Sequence, residues 1–150
     1  MKEVFPIIPG SSGPIWLLVG MAAFFGLMLA AFGWFAWSSR NASVEVSAEG
    51  VRVRGAMYGR TIPLQRLQPE GATTIQVATG DHRLVTRTNG AGLPGYLAGW
   101  FRAADGEKVL AFVTDKRRVA YLPTNDGYAL MVSTPDPEAL IEAVQRATRR

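Results

Sequence analysis

No cysteine occurs in the 150-residue chain, and histidine occurs once, as His82. The first absence removes thiol nucleophiles, disulfides and thiolate metal sites, and leaves the redox compartment unread. The second removes any metal cluster built on several imidazoles, and a lone histidine on an exposed strand reads as structural. No Gly-x-Ser-x-Gly elbow raises a serine. The glycine-rich "NGAGLPGY" lacks the Lys-Ser/Thr pair and the strand–helix context of a phosphate loop. Acidic residues are scattered singly through turns. With no nucleophile–base arrangement, the expectation is a chain without catalysis, cofactor or metal.

Charge is also missing from one long run. From Ile15 to Trp37, "IWLLVGMAAFFGLMLAAFGWFAW", there is no charged residue. About 20 apolar residues suffice to cross the hydrocarbon core as a helix. Gly20, Gly26 and Gly33 would weaken such a helix in water but are tolerated in lipid. Trp16, Trp34 and Trp37 lie near the ends, where amphipathic rings favour the headgroup zone. A core helix would need a polar face. A cleaved signal peptide would have a basic leader and a shorter apolar stretch, whereas here Lys2 is opposed by Glu3. The run therefore predicts a single retained span over 15–37. An irregular Pro/Gly-rich lead precedes it over 1–14, and a polar linker follows over 38–42. Arg40, Arg52 and Arg54 outweigh Lys2 and the α-amino group, which favours a cytoplasmic C-terminal domain. Beyond Arg40 the chain has 14 basic and 11 acidic residues. That mild excess argues against nucleic acid as a partner.

After the linker the hydrophobic period becomes two. "SVEVSA" and "VRVRG" alternate about a Glu49-Gly50 turn and predict a hairpin. "YGRTIPL" reads as a third strand, held to an edge or an end by Pro63. "TTIQVAT" and "HRLVTRT" follow as further strands. "EKVLAFVTD" is apolar on both faces at its centre, so it predicts a central, covered strand. "RVAYLPT" and "GYALMVS" flank Asn125-Asp126-Gly127, a tight-turn signal. The last segment switches to a helical period over about 136–148. Asp136 is its cap, Pro137 its first residue, and Leu140, Ile141, Val144 and Ala147 its apolar stripe. The fold class is mainly β (α+β): an N-terminal transmembrane helix, then a domain over 43–150. That domain is expected to be a seven-stranded antiparallel barrel whose open mouth is capped by the C-terminal α-helix, the logic of the pleckstrin-homology (PH) barrel.

"YGRTIPL", "RTNGAGLPGYLAGWF" and "VLAFVTDKRRVAYLPTNDGYALMVSTPDPEALIEAV" together resemble a bacterial PH-like domain family. The resemblance covers roughly 43–146 and is most specific in the run from Arg87 to Phe101. Ala91 stands where a hydroxyl residue is expected. The family resemblance implies a PH-like barrel with a C-terminal helix, commonly beside a membrane span, here the bacterial inner membrane. It implies no catalytic activity and no particular ligand. Inositol-phosphate binding is not carried over, because the first hairpin loop, Ala48-Glu49-Gly50, is short and acidic.

Three surface features are left as candidates. Tyr96, Trp100 and Phe101 either plug an open edge of the barrel or anchor a protein partner, including a second copy of the chain. In that reading Asn89-Gly90 and Leu93-Pro94-Gly95 make two turns. Arg52 and Arg54, with Lys116, Arg117 and Arg118 at a charged hairpin tip, are the candidates for an anionic lipid surface. The leading expectation is a membrane-anchored interaction or assembly module, with membrane-surface sensing as its alternative. The apolar run predicts that the full-length chain stays with membranes through an alkaline carbonate wash. Its release into the aqueous fraction would exclude the span.

Overall fold

The computed structural model describes Gly10 and residues 13–40, 42–54 and 58–149, without the side chains of 38–40. The chain divides into two compact units at Arg40/Asn41. Apart from Gly10, Gly13 and Pro14, the expected irregular lead lies outside the described residues.

The first unit is one helix, α1, Gly13–Arg40. At 1.5 Å per residue its 28 residues reach about 42 Å. Its large apolar side chains, from Ile15 to Trp37, are all exposed. A helix apolar all round either sits in a core or crosses a membrane. The stretch Gly13–Trp37 is long and apolar enough to cross a membrane. The helix continues through residues 38–40, which the sequence assigned to the linker, while Asn41 lies outside the described residues.

The second unit is mainly β. Its strands are β1 Ser43–Ser47, β2 Gly50–Arg54, β3 Thr61–Pro63, β4 Thr73–Ile75, β5 Leu84–Leu93, β6 Tyr96–Ala103, β7 Lys108–Val113, β8 Val119–Pro123 and β9 Ala129–Val132. The helix α2, Pro137–Thr148, closes the chain. The order of helix, strands and capping helix is the one the sequence implies. The strand count is nine among the described residues, against the expected seven, and the strands form two sheets. A three-stranded sheet runs β1-β2-β3, and a six-stranded sheet runs β4-β8-β9-β7-β6-β5. Pro63 stands on edge strand β3, where its missing N–H costs no ladder bond. A bridge between Leu67 and Thr124 stitches the sheets at one corner. Beside it, the Gln68 N–H donates to the Pro123 carbonyl at 2.9 Å and the Asn125 N–H to the Arg66 carbonyl at 2.8 Å.

The topology departs from the all-antiparallel expectation at one place. β9 lies between β7 and β8, antiparallel to β8 but parallel to β7, with Val109 opposite Ala129 and Phe112 opposite Val132. Residues 114–118 therefore do not tip a hairpin, as their charge suggested; they carry the chain past β9. Ser133, at the end of β9, secures that passage. Its Oγ accepts from the N–H groups of Thr114 and Asp115, each at 3.2 Å, and donates to the Asp115 carbonyl at 2.8 Å.

The period-two pattern of the strands sorts the core into two layers. Leu110 and Phe112 of β7, with Ala120, Leu122, Leu130 and Val132, face Val51, Val53 and Ile62 of the small sheet and Ile141 and Val144 of α2. Val109, Ala111 and Val113, with Phe101, Val119 and Met131, face the other way and are covered by Ile75, Val77 and Leu84. Leu110, Leu122, Leu130, Ile62 and Met131 are essentially fully buried. Each contributes about 1.5–3 kcal/mol relative to exposure. Asp136 caps α2 as expected, accepting from the Ala139 N–H at 3.0 Å.

The turn-rich stretch from Thr88 to Phe101 is mostly strand. β5 passes straight through Asn89-Gly90, and the chain reverses once, at Pro94-Gly95. Gly90 and Gly99 face each other across β5 and β6, at φ 149° and 123°. A Cβ on Gly99 would sit 2.5 Å from the Asn89 carbonyl oxygen and 2.6 Å from the Gly90 Cα. Both glycines are thus required by close backbone approach. Gly99→Ala should destabilise by about 3 kcal/mol, combining strain and overlap. Gly92→Ala has 3.5 Å of clearance and a permissive φ, so it should be neutral or slightly stabilising. Denaturant midpoints of the full chain in mild detergent separate the two.

Candidate functional site

Strand alternation decides the fate of the three aromatic candidates. Tyr96 and Trp100 point into the layer shared with the small sheet and α2, while Phe101 points into the opposite layer. Phe101 is 5% exposed, so it is a core residue and offers a partner no surface. Trp100 is half-buried, edge-on to Tyr128 with ring centroids 5.1 Å apart. The Lys108 ammonium lies 4.5 Å from its ring centroid and the Arg60 guanidinium 5.6 Å. Burial raises the Tyr96 phenol above its ordinary pKa. The three aromatic candidates, read as either an edge plug or a partner anchor, are therefore split between two layers. The two members that share a layer contribute mainly packing and cation–π contact.

The basic candidates lie on different sheets, and most are engaged. Arg52 and Arg54 project from the exposed face of β2. The Arg52 Nε donates to the Thr61 hydroxyl at 3.0 Å, and Arg54 pairs with Glu45 at 3.2 Å. In the 114–118 passage, Arg117 pairs with Asp115 at 3.2 Å and Arg118 with Glu138 at the start of α2. Lys116 is exposed, and its backbone carbonyl accepts from the Val77 N–H at 2.8 Å. These cations bind neighbouring strands, loop and helix together; they do not converge on one phosphate-sized point.

The structure forms two further features. One is a groove of about 740 Å³ between the end of β1 and the last turns of α2, lined by Val46, Leu64, Ala143, Arg146 and Ala147 among others. The other joins two loops. His82, in the β4–β5 connection, meets Asp105 and Glu107 of the β6–β7 turn, with potential ligand atoms from the three residues all within 4.8 Å of one another. The loops are held by backbone bonds from the Ala104 N–H to the Arg83 carbonyl at 2.9 Å and from the Asp105 N–H to the Asp81 carbonyl at 3.2 Å. Tyr121, on β8, supports the group from below: its ring centroid lies 4.7 Å from that of His82, and its hydroxyl donates to Glu107 at 3.0 Å. Burial, then the bond to Glu107, pushes the Tyr121 phenol well above its usual range, so it stays a donor at any physiological pH. The His82 Nδ1 is shielded from solvent and meets no hydrogen-bond partner. Such an atom costs about 1–3 kcal/mol. Reading His82 alone missed this cluster, because its carboxylates stand more than twenty positions away. The available signal was the Asp105-Gly106-Glu107 turn, whose spacing projects two carboxylates from one loop.

The family model of the bacterial PH domain matches residues 42–148, nearly the whole second unit. The chain belongs to the bacterial PH domain family. Compared with curated proteins and with solved structures, it has no match in either. The bacterial PH domain here therefore takes its fold from the family and its candidate surfaces from its own geometry. In this domain the basic passage is held by its own acid. The Arg117 side chain, then its N–H, bonds Asp115 and lowers the carboxyl below the usual range. A depressed carboxyl pKa contributes stability above the unfolded value, and that contribution is lost as pH falls through the folded one. NMR titration should place Asp115 below ordinary aspartate and return it upward in Arg117→Ala. An unchanged midpoint would show that the pair does not form in solution.

Proposed function

We propose that this chain is a single-pass, membrane-anchored bacterial PH domain that works without catalysis, gripping a protein partner along the edge of strand β5. One observation carries this reading. β5 is the ten-residue outer strand of the six-stranded sheet. Among the described residues outside α1, the exposed large apolar side chains are Val85 and Leu93, one near each end of β5. The opposite edge, β4, has three residues, and its Thr74 hydroxyl bonds Glu138 of α2 at 3.1 Å. Register shifts between Leu84 and Thr86 and between Arg87 and Asn89 bend the first half of β5. From Asn89 to Leu93 the pairing is continuous. That half, Gly- and Ala-rich and ending at exposed Leu93, suits an added strand, with backbone bonds giving affinity and Leu93 a side-chain contact. The lipid-sensing alternative is less well supported, since Arg54, Arg117 and Arg118 already pair with carboxylates.

A photo-reactive side chain in place of Leu93 should give a discrete cross-linked product in membranes, and the same group at exposed Glu142 should not. Val85→Lys with Leu93→Lys should abolish the function of the chain in cells while leaving the fold intact. Equal products from both positions, or full function of the double variant, would overturn the reading. Arg40 at the end of α1 further supports a cytoplasmic domain on the bacterial inner membrane. A reporter fused after Arg150 that works only in the cytoplasm should be active. Activity of a periplasm-specific reporter instead would reverse the orientation.

A further inference from the structure

We propose that His82, Asp105 and Glu107 form a binding site for a divalent transition-metal ion of the zinc class, clamping the β4–β5 connection to the β6–β7 turn. The donor set is one imidazole nitrogen and two carboxylate oxygens, a combination that borderline ions of this class accept while keeping a position for water. Metal–ligand distances of about 2.0–2.2 Å place ligand atoms roughly 3–3.5 Å apart. The present spacing, within 4.8 Å, would have to close to that by side-chain rotation; Asp105 is exposed, with Oδ1 accepting from the Glu107 N–H at 2.9 Å.

In this turn the Arg102 Nη1 donates to the Gly106 carbonyl at 2.8 Å and so bonds the backbone between the two carboxylates. No ion pair among the described residues uses Asp105 or Glu107; Glu45, Asp115, Asp126 and Glu138 take the arginines. Two carboxylates thus stand together with a hydroxyl and a backbone N–H as donors, the latter running from Glu107 to the Asp105 Oδ1 at 2.9 Å. A separate observation bears on the imidazole: within the half-buried His82, Nδ1 is shielded from solvent and has no hydrogen-bond partner. Tyr121 supplies what metal sites commonly have around them, a hydrogen bond that fixes a ligating carboxylate and a ring that fixes the imidazole plane. The ion would tie down the segment that carries Val77 and Leu84 over the second core layer. Metal binding would therefore raise the stability of the domain.

The test uses the full chain, without a polyhistidine tag, purified in detergent and stripped of metal. Calorimetric titration with Zn²⁺ alone should give one ion per chain, and saturating Zn²⁺ should raise the unfolding temperature. Asp105→Asn changes an exposed side chain and should fold normally, yet weaken binding at least tenfold. Tyr121→Phe keeps all three ligands and should weaken it about tenfold or more through the lost carboxylate bond. His82→Ala should abolish both the binding and the thermal shift. Absence of stoichiometric uptake by the folded wild-type chain would overturn the proposal. So would undiminished binding by folded Asp105→Asn.

Discussion

The paired strands β7 and β9 are apolar on both faces, and the domain is arranged to keep water off both of them. Val109, Leu110, Ala111 and Val113 are at most 1% exposed, as are Ala129, Leu130 and Met131. A strand wet on one side could have been served by a single packing layer. Here two are required. The small sheet and the apolar stripe of α2 cover one face, and the β4–β5 connection covers the other. Neither the 5-, 5- and 3-residue strands of the small sheet nor the 12-residue helix would be stable alone. Each is held by the surface that it dries.

Parallel pairing of β7 and β9 has a further consequence. Parallel neighbours cannot be joined by a tight turn, so the chain must leave the sheet position and return. Residues 114–128 make that excursion, with β8 as its outward leg. The excursion opens with a run of exposed charge, and the structure spends most of that charge internally. Ser133 satisfies the backbone, Asp115 holds Arg117, and Glu138 draws Arg118 to the first turn of α2. Surface pairs of this kind are individually worth little. Their role here is to fix the path of a connection that would otherwise be loosely specified.

The surfaces left for function follow from the same architecture. A six-stranded sheet has two edges, and in this domain they are unequal. One is a three-residue strand tied to α2, and the other is a ten-residue strand carrying two exposed apolar side chains. The connection covering the second layer meets the β6–β7 turn at the His82, Asp105 and Glu107 cluster. Thus β5 leaves one edge without a neighbouring strand, and the cluster beside its beginning is tied to the sheet through Tyr121. The match to the bacterial PH domain family spans the scaffold that carries both features.

The sequence by itself determined the elements whose signals are local. An uncharged run of helical length makes α1, period-two alternation makes β1 and β2, a short run apolar on both faces makes β7, and Asp136-Pro137 followed by an i, i+3, i+4 stripe makes α2. Its resemblance to the bacterial PH family rested on long, specific strings and located the domain to within a few residues. Only the tertiary structure decided what depends on contacts distant in the chain. The insertion of β9 between β7 and β8 is a choice of neighbour, and alternation is the same whichever neighbour is chosen. Gly90 read as a turn residue because a glycine needed for close backbone approach looks locally identical to one needed for reversal. Whether Trp100 and Phe101 share a surface, and whether His82 stands alone, depend on which face and which loop the fold sets opposite them, and no spacing along the chain encodes that.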